Sequence, residues 1–126
     1  MVEKEKMEIL EIIGKILFGM LFVGSGIGHF KNTDSLSAYA RSKGLKFSDL
    51  NVYLSGVLLV VAPVLYLFGI WETAMLISLA AFLTLTAFIF HPYWKEKDPM
   101  IKMNEQIAFN KELSIIGAIL IIVTML

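Results

Sequence analysis

Five polar residues near the ends of long apolar runs have the chemistry to bind a small polar headgroup: His29, His91, Asn110, Lys111 and Glu112. Imidazole and amide groups form hydrogen bonds with a carbonyl oxygen, and an ammonium stabilises developing negative charge. A carboxylate can exchange protons with a bound ligand. Ionisable groups at the edge of an apolar segment usually face the interior of a helix bundle and pair there. We therefore predict that these five side chains converge at one end of a bundle.

A haem or metal site is the first alternative for the two histidines. Two imidazoles could bind haem axially, and Glu105 or Glu112 could complete a metal site. However, His29 and His91 follow apolar runs, next to loops, and no His-x-x-His or Glu-x-x-His spacing accompanies them. The chain also lacks cysteine, which excludes thiolate ligands and disulfides. We expect no haem, no metal and no other tightly bound cofactor.

The elements that position these residues are apolar enough to cross a membrane. Of the 126 residues, 57% are hydrophobic, and the mean hydropathy is +0.74. The charged residues form a few blocks between long uncharged runs, which is typical of loops between membrane spans. Eleven basic residues balance eleven acidic ones, so no global field attracts nucleic acid. The sequence predicts an integral membrane protein with the lipid bilayer as its main partner and no nucleic-acid partner.

Four spans, each near the ~20 residues that cross a hydrocarbon core, account for the apolar runs. They cover residues 9–28, 52–70, 73–90 and about 106–126. In the loop after the first span, N-cap residues from Asn32 to Ser35 and the helix stop at Gly44 predict a short helix at the membrane surface. The predicted fold is all-α, an integral membrane four-helix bundle with a short interfacial helix, as a single domain over residues 1–126.

The loops near Ser42 and Lys97 should lie on one side of the membrane, and both termini on the other. Eight of the eleven Lys and Arg residues fall on the loop side, so the positive-inside rule predicts cytoplasmic loops and outside termini. Single cysteines introduced by Ser42→Cys and Lys97→Cys should react with a membrane-impermeant maleimide from the same side of sealed vesicles. Reaction from opposite sides would exclude four spans.

Packing is the simplest interpretation of the small and polar residues within the spans. Gly24 and Gly28, four positions apart, are typical of close helix contacts. Residues 110–112 could simply begin a helix whose polar side chains reach the interface. Glu11 and Lys15 have the spacing of an ion pair on one helix face at the opposite boundary.

Several short motifs together resemble the DoxX-like family of small four-helix membrane proteins. They are Gly28-His29-Phe30 after the first span, Ser55-Gly56 in the second, Phe90-His91-Pro92-Tyr93-Trp94 after the third and Phe109-Asn110-Lys111-Glu112-Leu113 in the fourth. Many members carry an acidic residue after the second-span glycine, where this chain has Val57. The usual Lys-Asn-Leu of the fourth span reads Lys111-Glu112-Leu113. Family membership specifies a fold better than a function.

The resemblance implies an accessory subunit of a quinone-linked respiratory or redox complex, with a quinone headgroup bound at the cytoplasmic interface. His29 or His91 would hydrogen-bond a quinone carbonyl, Lys111 would stabilise negative charge and Glu112 would exchange protons. Asn110 and Trp94 would complete the ligand-binding set. Electrons must come from a membrane or peripheral redox protein, so we expect no catalysis by this chain alone.

Two other functions remain open from the sequence. A membrane assembly or scaffolding protein without a ligand needs only the packing residues, and it could form a homo-oligomer. A small-solute transporter fits less well, because the middles of the predicted spans carry no charged residue to mark a path.

Overall fold

The computed structural model describes residues 2–126, and this part of the chain is helical without strands. Five α-helices follow in order: α1 Val2–Lys31, α2 Thr33–Ser42, α3 Ser48–Leu67, α4 Glu72–Phe90 and α5 Pro99–Thr124, with a 3₁₀ turn at Tyr93–Lys95. Four of these helices, all except α2, are long and apolar enough to cross a membrane. The predicted all-α membrane fold with four spans is confirmed.

Helices α1 and α5 extend furthest beyond the apolar runs from which they were predicted, and α3 covers Ser48–Leu67 instead of residues 52–70. Helix α1 begins at Val2 and includes the charged residues before Ile9. Helix α5 begins at Pro99, where the Asp98 carboxylate accepts hydrogen bonds from the amides of Met100 (2.8 Å) and Ile101 (3.2 Å). The span predicted from about residue 106 counts only the residues needed to cross the hydrocarbon, and the helix itself begins further out because Asp98 and Pro99 supply an N-cap and a first helical residue.

The chain divides into two compact units, and the boundary in the sequence lies between Met75 and Leu76. The first contains α1, α2, α3 and the first turn of α4, and the second contains the rest of α4, the 3₁₀ turn and α5. The single domain predicted over residues 1–126 stays a prediction.

In the first unit, glycine allows α1 and α3 to approach closely. A Cβ atom added at Gly26 would lie 2.7 Å from Val60 Cγ2 and 2.9 Å from the Gly56 carbonyl oxygen. In contrast, a Cβ added at Gly24 or Gly28 would meet nothing within 4 Å. For the contact between α1 and α3, the prediction of close packing at Gly24 and Gly28 is therefore wrong. The residue that faces α3 is Gly26, between them.

The predicted short helix after the first span is α2. Lys43 caps its C-terminus, and Gly44 follows with φ +86°, a left-handed conformation that glycine adopts without strain. The Arg41 guanidinium joins α2 to the start of α3 by donating to Ser48 Oγ (3.1 Å) and lying 3.7 Å from the Asp49 carboxylate. These contacts place α2 beside the first turn of α3, and its position at the membrane surface stays a prediction.

Candidate functional site

His91 lies between two carboxylates of α5 in the second unit. It follows the last residue of α4, and its amide donates to the Ala87 carbonyl (3.2 Å), so the helical turn continues to His91. Its Nδ1 is 2.7 Å from Glu105 Oε2, and its Nε2 is 3.5 Å from Glu112 Oε1. Residues seven apart lie two turns apart on one helix face, so both carboxylates point toward the same ring. The imidazole therefore connects them.

Glu112 is the deeper of the two carboxylates, with 18% of its side chain exposed against 25% for Glu105. Thr86 Oγ1 on α4 donates a hydrogen bond to Glu112 Oε2 (3.0 Å). A carboxylate in an apolar segment is unfavourable without such partners. We call Thr86, His91, Glu105 and Glu112 the His91 cluster.

The His91 cluster has the parts of a proton relay. If Nδ1–H donates to Glu105, a neutral imidazole presents the Nε2 lone pair on the Glu112 side. A proton received at Nε2 leaves an imidazolium that both carboxylates stabilise. Loss of the other ring proton toward Glu105 restores the neutral ring. The geometry thus permits a proton to pass between Glu112 and Glu105 through one side chain.

Four aromatic rings pack on one another around the 3₁₀ turn that follows His91. Phe109, 8% exposed, is at their centre. Its ring centroid lies 5.3 Å from Phe88, 5.5 Å from Tyr93 and 5.5 Å from Trp94, in edge-to-face contacts. Trp94 retains 48% exposure, so one part of its ring packs on Phe109 while the rest is free to contact lipid or a ligand. We call these rings the aromatic cluster.

The other two α5 residues of the predicted site are placed differently. The side chains of Asn110 and Lys111 are exposed, and the Asn110 carbonyl accepts a hydrogen bond from Ser114 Oγ (2.9 Å). The structure brings Glu112 to His91, and it adds Thr86 and Glu105, which were not among the predicted ligand-binding residues. The seven-residue spacing of Glu105 and Glu112 is the sequence signal that could have identified the pair.

His29 belongs to the first unit, where it links α1 to α3. Its Nδ1 lies 2.9 Å from Ser55 Oγ and 3.2 Å from the Val52 carbonyl oxygen. Since the Ser55 hydroxyl itself donates to the Val52 carbonyl (3.0 Å), its oxygen is available to accept from Nδ1–H. This arrangement leaves Nε2 as the acceptor nitrogen of His29.

A second charged cluster lies in the first unit. Lys15 Nζ is 3.1 Å from Glu11 Oε1 and 3.6 Å from Glu72 Oε1, and it lies 4.8 Å from the centre of the Tyr66 ring. The predicted pair of Glu11 and Lys15 is confirmed, whereas the sequence did not indicate Glu72 or Tyr66. Lys15 is 9% exposed, so these partners surround a nearly buried ammonium group.

Residues 2–126 contain no group of three or more His, Asp or Glu side chains arranged to hold a metal ion. The expectation that the protein binds no metal stays a prediction.

Comparison with known families supports the resemblance noted from the motifs. The family model DoxX matches residues 11–92, more than half of the chain. The chain belongs to the DoxX family. No curated protein and no solved structure matches it significantly. The DoxX match includes His29 and His91 but ends before Trp94 and α5, so it does not cover Glu105 or Glu112.

Proposed function

We propose that this DoxX-family protein is the membrane subunit of a quinone-linked redox complex and that it holds a quinone headgroup beside the His91 cluster. The observation that supports this most is the position of His91 between Glu105 and Glu112, at the end of an apolar helix. Reduction of a quinone to a quinol requires two electrons and two protons. A group that transfers protons at the edge of the membrane is what such a site needs from a protein without its own redox centre.

Each side chain has a distinct task in this proposal. Glu112 exchanges a proton with the headgroup oxygen, and His91 passes it to or from Glu105. The exposed part of Trp94 packs against the quinone ring. Asn110 and Lys111, whose side chains are exposed, form hydrogen bonds with the second oxygen and stabilise negative charge there. His29 lies in the first unit; with Nδ1–H donated to Ser55 Oγ, its Nε2 is an acceptor that suits a quinol hydroxyl rather than a quinone carbonyl.

Electrons must enter from outside the chain. The sequence has no cysteine for an iron–sulfur cluster, so the proposed complex includes a membrane or peripheral redox protein that reduces or oxidises the bound quinone. We place the headgroup at the cytoplasmic interface, because the positive-inside rule assigns the loop containing His91 to that side.

A scaffolding role is the alternative that the same contacts support. The contact between His91 and Glu105 joins the end of α4 to α5, and Thr86 with Glu112 adds a second link between these helices. These links could serve only to hold the helices together.

Quinone binding to the purified protein distinguishes the two functions. In a Trp71→Phe background, Trp94 is the remaining tryptophan, and its fluorescence reports on the aromatic cluster. Titration with decylubiquinone in a mild detergent should quench it saturably. We expect Glu112→Gln to weaken binding by about ten-fold, since it removes the ionisable group at the headgroup oxygen, and His91→Ala to weaken it less, since His91 acts through Glu112.

Glu8→Gln is the matched control, because Glu8 is an exposed carboxylate on α1. It should leave the dissociation constant unchanged, and His29→Ala tests the role of that residue separately. Quenching that rises linearly with quinone and is the same in every variant would reject the proposal in favour of scaffolding.

A further inference from the structure

A groove of about 360 Å³ runs between α1 and α3 in the first unit. Its walls include Ile16, Gly24 and Ile27 on α1 and Pro63 and Leu67 on α3. Of the described residues that line it, Lys15 alone carries a charge, and it lies at one end. None of these residues belongs to the His91 cluster, so the groove is a separate feature of the protein.

The α1 wall of the groove, from Lys15 to Ile27, is about as long as one leaflet of a bilayer. Lys15 contacts Tyr66 near the end of α3 and Glu72 at the start of α4, so it is level with the turn that joins these helices. A turn has backbone N–H and C=O groups that no helical hydrogen bond pairs, so it belongs at the edge of the hydrocarbon, where water can reach it. From Lys15 to Ile27 the helix rises ~18 Å, close to half of the ~30 Å hydrocarbon core.

The Lys15 end of the groove carries a surplus negative charge. Glu11 and Glu72 supply two carboxylates around the single ammonium of Lys15. The Lys15 side chain is 8% exposed, whereas 61% of the Glu11 side chain is exposed, one helical turn further out. Glu11 can therefore accept further hydrogen bonds at the level of the lipid headgroups, and an anionic group would be repelled there.

We propose that the groove binds one acyl chain of a phospholipid whose primary ammonium headgroup donates hydrogen bonds to Glu11. A single chain matches both the apolar lining and the depth of one leaflet. A helix from a second copy fits less well, because the α3 wall is formed only by its last turns, from Pro63 to Leu67. A choline headgroup has no N–H to donate, and a glycerol headgroup has no ammonium.

Native mass spectrometry of the delipidated full chain, with added lipid, tests this proposal. Equal amounts of dioleoyl phosphatidylethanolamine, phosphatidylcholine and phosphatidylglycerol should give preferential retention of the first. We expect a preference of about three-fold, which Glu11→Gln should abolish because it removes the acceptor charge. Glu8→Gln, on the same helix but outside the Lys15 contacts, should keep the preference.

A second pair of variants tests the groove itself. Gly24→Leu places a side chain in the groove at a position where an added Cβ meets no protein atom within 4 Å, so it should fold and should retain less of all three lipids. Gly28→Leu, equally open but outside the groove lining, should retain lipid as the wild type does. Equal retention of the three lipids by the wild type, or unchanged retention in Gly24→Leu, would overturn the proposal. So would a dimer that disappears in Gly24→Leu, since a second copy would then fill the groove.

Discussion

Gly26→Ala is expected to lower the free energy of unfolding by about 2 kcal/mol, as overpacking of a close helix contact does. The added Cβ would lie 2.7 Å from Val60 Cγ2, 2.9 Å from the Gly56 carbonyl oxygen and 3.1 Å from Leu59 Cβ. The backbone oxygen cannot turn aside as a flexible side chain would, so α1 and α3 must separate. Unfolding in mixed micelles with increasing sodium dodecyl sulfate, followed by circular dichroism, measures the change.

Gly24→Ala and Gly28→Ala are the controls on the same helix. Each adds the same methyl group where nothing lies within 4 Å, and alanine favours a helix over glycine by up to about 1 kcal/mol. Stability should therefore stay the same or rise in both variants. If Gly24→Ala destabilised the protein more than Gly26→Ala, the face of α1 that packs on α3 would be wrongly assigned.

His91→Ala and Glu112→Gln should show a coupling free energy of about 1 kcal/mol in a double-mutant cycle for unfolding. The Nε2 and Oε1 atoms lie 3.5 Å apart, and both side chains are mostly buried. Removing His91 leaves Glu112 with Thr86 as its partner, so the second substitution should be less harmful in that background. Four unfolding curves, recorded in one detergent at one pH, give the coupling.

The control cycle pairs His91→Ala with Glu96→Gln, a carboxylate of the same unit outside the His91 cluster. That pair should be additive within ~0.3 kcal/mol. Equal coupling in both cycles would mean that the effect of His91 spreads through the whole unit, and the relay from Glu112 to Glu105 would lose its basis.

Local patterns in the sequence were enough to predict most helices. The uncharged runs predicted the spans, and Gly44 predicted the end of α2. The four-residue spacing of Glu11 and Lys15 predicted their ion pair. The face of α1 that packs on α3 was not predictable in the same way. The sequence does not distinguish Gly26 from Gly24 and Gly28. Only the direction from which α3 approaches α1 shows that Gly26 lies at the contact.

The candidate site shows the same division between local and tertiary information. Asn110, Lys111 and Glu112 are consecutive, and successive residues on a helix point about 100° apart, so the three side chains cannot all point at His91. The structure directs Glu112 toward His91 and exposes the other two. Contacts of Asn110 and Lys111 with a ligand stay predictions. Glu105 was considered only as a metal ligand, because its approach to His91 depends on how the loop from Pro92 returns the chain to α5.

The length of α1 predicts a helical segment that extends beyond the membrane surface. Lys15 is level with the end of α3, yet the helix begins at Val2, so its first residues rise ~20 Å beyond that level. A headgroup layer is only ~5–8 Å thick on each side. We therefore expect the outermost turns of α1, with alternating charges from Glu3 to Lys6, to lie in water, where a protein approaching from that side would meet them before it reaches lipid.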